Sequence, residues 1–105
     1  MLISWESFGI IRNHLNSKYP VIRAIAWTDP NRYPIYFALA SDKRFNGHRL
    51  HLFEVRVDGS IPRDDIIRIV DSFLEDHPEY LIEDGKREVP CINVYRNYWR
   101  LKEIH

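Results

Sequence analysis

A chain of 105 residues has the size of one ordinary domain, 1–105, and can bury roughly two-thirds of its unfolded surface, so a core needs neither metal nor disulfide. Its 45% hydrophobic and 29% charged residues exclude a disordered chain, and the single cysteine, Cys91, excludes an internal disulfide. The net charge of zero lacks the basic excess usual in nucleic-acid-binding domains, although a local basic face is compatible with it.

In chain order, Ser4 is placed to cap a helix running to about Lys18. Trp5, Phe8, Ile11 and Leu15 recur at helical spacing, and Tyr19-Pro20 ends the pattern. Two apolar runs follow, 21–27 and 34–41, separated by the turn signal Asp29-Pro30-Asn31. Each alternates alanine (Ala24, Ala26, Ala38, Ala40) with a large side chain (Ile25, Trp27, Ile35, Phe37, Leu39), which predicts a sheet with one smooth and one bulky face. Asn46-Gly47 is the strongest short-range hairpin signal, so 50–57 should return antiparallel beside the second strand.

Ser60-Ile61-Pro62 with Asp64 and Asp65 predicts a helix start capped by Ser60. Ile66, Ile69, Val70, Phe73 and Leu74 supply its apolar stripe, which ends before His77-Pro78. Residues 80–82 read as a short strand or a buried connection, 91–95 as a strand, and 97–105 as either a continuing strand or a terminal helix. The fold class is therefore α+β: a two-layer sandwich with an antiparallel sheet of three to five strands and two main helices, in the order α-β-β-β-α-β with a short extra C-terminal element.

Three surfaces stand out. The bulky sheet face needs a cover, supplied by the two helices, by the C-terminal segment, or by a second molecule. In the last case Trp27 and Phe37 are the anchors of a partner site or homodimer, since interface energy concentrates in buried aromatics. Residues 95–102 interleave aromatic rings and cations; on one continuous strand Arg96, Tyr98, Arg100 and Lys102 share a face suited to nucleic acid, and Tyr95, Trp99 and Leu101 share the other. An edge strand kept soluble by its cations explains the same pattern. The third surface is acidic. Residues 1–57 carry +4, 58–88 carry −6 and 89–105 carry +2, and Asp71, Glu75 and Asp76 lie mostly off the apolar stripe of the second helix. A solvated helix face accounts for these acids equally well.

Catalytic patterns are weak. His48 and His51, three apart on a strand, face opposite ways and make a poor zinc pair. The helix–three-strand–helix–strand order is compatible with the core of restriction-endonuclease-like nucleases, whose Asp and Glu-x-Lys hold metal. Here Glu54-Val55-Arg56 substitutes an arginine that cannot act as a base, and Asp29 or Asp42 would have to supply the other carboxylate. Cys91, in an apolar run, reads as a small core residue. The isolated glycines form no phosphate loop. The order is also similar to that of double-stranded-RNA-binding domains, but their basic second-helix start is replaced by Arg63-Asp64-Asp65, so no residue role carries over.

The expectation is a non-enzymatic protein-interaction module without cofactor or metal: a small cytoplasmic regulator or inhibitor of the immunity-protein, antitoxin or phage-inhibitor kind, binding a partner protein or itself and not a membrane. The alternative is a nucleic-acid-binding domain using the C-terminal stripe. No basic start with a long apolar core opens the chain, and no apolar stretch approaches the roughly 20 residues of a membrane span.

Overall fold

The computed structural model describes residues 5–27, 35–57, 61–85, 88–95 and 98–103; the side chains of residues 5, 26, 27, 35, 36, 98 and 100–103 lie outside that description. Helix α1 spans Trp5–Lys18 and helix α2 spans Arg63–Asp76. The strands are β1 (Ala24–Trp27), β2 (Ile35–Phe45), β3 (His48–Val57), β4 (Pro90–Tyr95) and β5 (Tyr98–Glu103). They form one five-stranded sheet in sequential order. No described helix is long and apolar enough to cross a membrane.

The sheet is mixed, which corrects the expected antiparallel arrangement. Strands β1, β2 and β3 make an antiparallel meander, β4 runs parallel to β3, and β5 pairs antiparallel with β4. The physical cause is the connection. After β3 the chain returns along α2 before re-entering the sheet, and a helical crossover delivers the next strand parallel to the last. Residues 80–82, expected as a short strand or a buried connection, lie at the end of a short 3-10 helix, Pro78–Leu81, and within the ambiguous stretch 97–105 residues 98–103 are strand β5.

Local signals explain most boundaries. Asn46 and Gly47 both have positive φ, 53° and 81°, the backbone that a two-residue hairpin requires at its central positions. Helix α2 takes Pro62, not Ser60, as its N-cap, without a side-chain cap bond; Ser60 and the other expected cap, Ser4, lie outside the described residues. The Pro62 carbonyl instead accepts from the amides of Asp65 and Ile66. A bulge at Leu39/Ala40 shifts the register so that Phe53 opposes Leu39 while His51 opposes Ala40. Leu52 is the extra residue, and Leu52 and Phe53 are both fully buried although strand alternation would expose one of them.

One layer of helices closes the bulky face. Phe8, Ile11 and Leu15 of α1 and the α2 stripe share a single core with Phe37, Leu39, Phe53, Val55, Val57, Ile92 and Val94. Phe8 stacks on Phe37 at 5.6 Å between ring centres, and Phe73 of α2 contacts Phe53 of β3 at 6.1 Å. Trp99 meets Phe73 edge-on at 5.0 Å. Of the three possible covers for the bulky face, the two helices are the one observed. Burying the large side chains is worth roughly 1.5–3 kcal/mol each, whereas alanines offer little area, so the helices take the bulky side.

Candidate functional site

With both helices on one side, the opposite face of the sheet is uncovered by either helix among the described residues. Its composition follows from strand register. Ala26, Ala38, Glu54, Cys91 and Lys102 are consecutive partners across β1 to β5, and Tyr36, Arg56, Asn93 and Arg100 form the next row. Tyr95 and Tyr98 pair beyond them at the end of β4 and β5. At about 4.8 Å per strand, the face is about 20 Å wide. Cys91 and Asn93, at 5% and 7% exposure, form its floor, while Glu54, Arg56 and Tyr95 are half-buried. Burial pushes the Glu54 carboxyl above its usual range.

A second polar cluster clasps the two helices. Asp71 of α2 accepts the Tyr19 hydroxyl at 2.8 Å on Oδ1, and its Oδ2 lies 2.8 Å from His14 Nε2 and 3.3 Å from Lys18 Nζ. Lys18 also reaches Glu75 at 3.7 Å. Burial, then the bond to Asp71, then the charges of Asp71 and Glu75 push the Tyr19 phenol well above its ordinary value. This arrangement matches one carboxylate with three donors, so its role is to tie α1 to α2.

A surface pocket of about 410 Å³ opens beside the β2–β3 hairpin, lined by Pro20, Val21, Arg23, Asp42 and Glu83. Its Asp42 and Arg23 are matched within the chain. Asp42 pairs with Arg49 and, at 3.8 Å, with Arg23, while Lys43 donates to the Glu83 carbonyl at 3.0 Å.

The structure separates the residues that the sequence singled out. Phe37 is 2% exposed and covered by Phe8, so it cannot anchor a partner; the side chain of Trp27 lies outside the described residues. Asp71 is engaged within the chain, with 16% of its side chain exposed, whereas Glu75 and Asp76 face solvent. Trp99 leaves the C-terminal stripe for the core, where it touches Phe73 and His77. Arg96 lies outside the described residues, while Tyr98, Arg100 and Lys102 keep register positions beside Tyr95, Asn93 and Cys91. Tyr95 is thus paired with Tyr98 instead of sharing a face with Trp99, because the chain reverses between β4 and β5.

Arg56 and Asn93 were missed as members of this face. The signal for Arg56 was present, since strand alternation puts it with Glu54 on the side away from Val55. Asn93 needed the parallel β3–β4 pairing. For the nuclease arrangement, Glu54 is opposed on β2 by Ala38 and not by an acid, Asp42 sits at the hairpin end of β2 with Arg23 and Arg49, and Asp29 lies outside the described residues. Among the described residues, no three His, Cys, Asp or Glu side chains come together as a metal-binding group. No family model matches this chain, and no curated protein or solved structure proves similar to it.

Proposed function

We propose that this chain is a non-enzymatic binding module whose working surface is the uncovered sheet face and whose partner is nucleic acid. The observation that carries the reading is the register that collects Arg56, Asn93, Arg100 and Lys102 with three tyrosine positions on one side of the sheet. Three cationic positions against the single acid Glu54 favour a polyanion, even though the whole chain is neutral. Aromatic and amide groups among them add contacts that a purely ionic surface lacks.

A protein-interaction module was the first expectation, and it loses Phe37 to the core and Asp71 to the helix clasp. What remains to it is the exposed pair Glu75 and Asp76 of α2, and Trp27, whose side chain lies outside the described residues. The test is binding of a mixed pool of single- and double-stranded RNA and DNA between 50 and 200 mM salt. Affinity should fall steeply with salt, and Arg100→Ala or Lys102→Ala should weaken binding while thermal melting is unchanged. A flat salt response, or affinity untouched by both variants, rejects the reading.

A further inference from the structure

The chemistry of the uncovered face narrows the class of nucleic acid. A double helix is read by an element that enters a groove, or by loops and helix ends that follow two phosphate ridges. This surface is a sheet about 20 Å wide, with the small residues Ala38, Cys91 and Asn93 along its floor and no described helix rising from it. A sheet of that width matches the span of an extended strand of a few nucleotides laid across it. Unpaired bases present both their faces and their hydrogen-bonding edges, which duplex pairing hides.

The placement of groups fits that geometry. Tyr95 and Tyr98 are direct partners at one end of the β4–β5 pair, and Tyr36 stands in the row that crosses Arg56, Asn93 and Arg100. Tyrosine is a residue type that stacks on bases and arginine one that meets phosphates, and the register brings both types to one side of the sheet. Glu54 is the one acid in the set. When ionised, its carboxylate has the same sign as an approaching phosphate chain.

We infer that the uncovered face binds single-stranded nucleic acid, with Tyr95 and Tyr98 as base platforms, Arg100 and Lys102 as phosphate contacts, and Glu54 as a brake on affinity. This deepens the proposed function and rests on it.

The experiment uses the full chain and a labelled mixed-sequence oligonucleotide of about 12 nucleotides, single-stranded or annealed to its complement, followed by fluorescence anisotropy. The single strand should bind at least ten-fold tighter than the duplex. Tyr95→Ala and Tyr98→Ala should each weaken single-strand binding roughly five-fold or more, and Tyr95→Phe, which keeps the ring, should not. Arg100→Ala should lower the salt slope by about one, and Glu54→Gln should raise affinity for the single strand. Equal affinity for single strand and duplex overturns this inference and leaves the proposed function standing. Absence of binding to either form at 50 mM salt overturns both. A protein captured on the same face, with binding lost in Tyr98→Ala and indifferent to salt, also overturns both. Should Tyr95→Ala fail to melt cooperatively, Tyr98→Ala and Glu54→Gln carry the comparison, and no change in either is a failed inference.

Discussion

Phe37→Ala separates the architecture described here from one in which the bulky sheet face awaits a partner. The Phe37 ring is 2% exposed and stacks on Phe8 at 5.6 Å with an interplanar angle of 27°, inside a core closed by α1. Removing a buried phenyl ring costs about 3–5 kcal/mol in lost transfer energy and residual cavity. Against the roughly 5–15 kcal/mol that holds an ordinary domain together, this loss takes about a fifth of the total or more. At about 4 °C or more per kcal/mol for a domain near this size, the melting temperature should fall by at least about 12 °C. Urea unfolding followed by circular dichroism should show the midpoint lowered with the slope unchanged. The Phe8–Phe37 pair can be isolated by a double-mutant cycle with Phe8→Ala, which should return about 0.5–1.5 kcal/mol of coupling. A loss below about 1 kcal/mol in Phe37→Ala, together with a change in molecular mass in solution, would refute the closed core and restore Phe37 as an interface residue.

The helix clasp supplies two further tests. Asp71→Asn removes the charge shared by Tyr19, His14 and Lys18 and should cost about 1–3 kcal/mol, whereas Asp76→Asn on the exposed side of the same helix should stay within about 0.5 kcal/mol; equal effects in urea titrations would refute the clasp. The Tyr19 phenol is held above its ordinary value in the folded chain, so the folded state favours its protonated form. That contribution is fully present below about pH 10, where the unfolded phenol is also protonated, and is lost as pH rises beyond it because the unfolded chain releases its proton first. Tyr19→Phe should therefore lower stability at neutral pH and reduce the further fall above about pH 10. Parallel pH profiles for the two proteins would contradict the arrangement.

How far the fold was legible depended on whether the information was local. Both helices, the Asn46-Gly47 hairpin and the three-strand meander were read from spacing and turn chemistry, and each rests on interactions within a few residues. The direction of β4 was not readable. Whether a strand returns parallel or antiparallel depends on where the connection lands, and the 3-10 helix Pro78–Leu81 adds length with no clear period. The bulge at Leu52 was hidden for a related reason. Leu50, Leu52 and Phe53 fit no single alternation, and only pairing with Leu39 and Ala40 shows which residue is extra. The face of the sheet to which each C-terminal ring belongs was misread, since a continuous strand groups Tyr95 with Trp99 and a reversal groups it with Tyr98. The charges of residues 95–102 were visible throughout, but their neighbours Arg56 and Asn93 come from strands far away in the chain.

Neutral composition and a proposed polyanionic partner are compatible because the acids of α2 and the cationic register positions of the sheet belong to different layers. The solvent side of α2 carries Asp64, Glu75 and Asp76, with 81% and 69% of the first two side chains exposed, while the cationic register positions belong to the uncovered sheet face. A helix about 10 Å across stands between them, which exceeds the roughly 8 Å screening length at physiological salt, so the sheet face feels little of those acids there. At 0.01 M salt the screening length grows to about 30 Å, and the acids then oppose the same ligand from behind the sheet. The plot of log affinity against log salt should thus be linear between 50 and 200 mM and should flatten below about 20 mM. Neutralising Glu75 and Asp76 together, as E75Q with D76N, should restore the linear gain at low salt and leave affinity at 150 mM unchanged. An equal increase at both salt concentrations would mean that the acids lie beside the binding surface and not behind it.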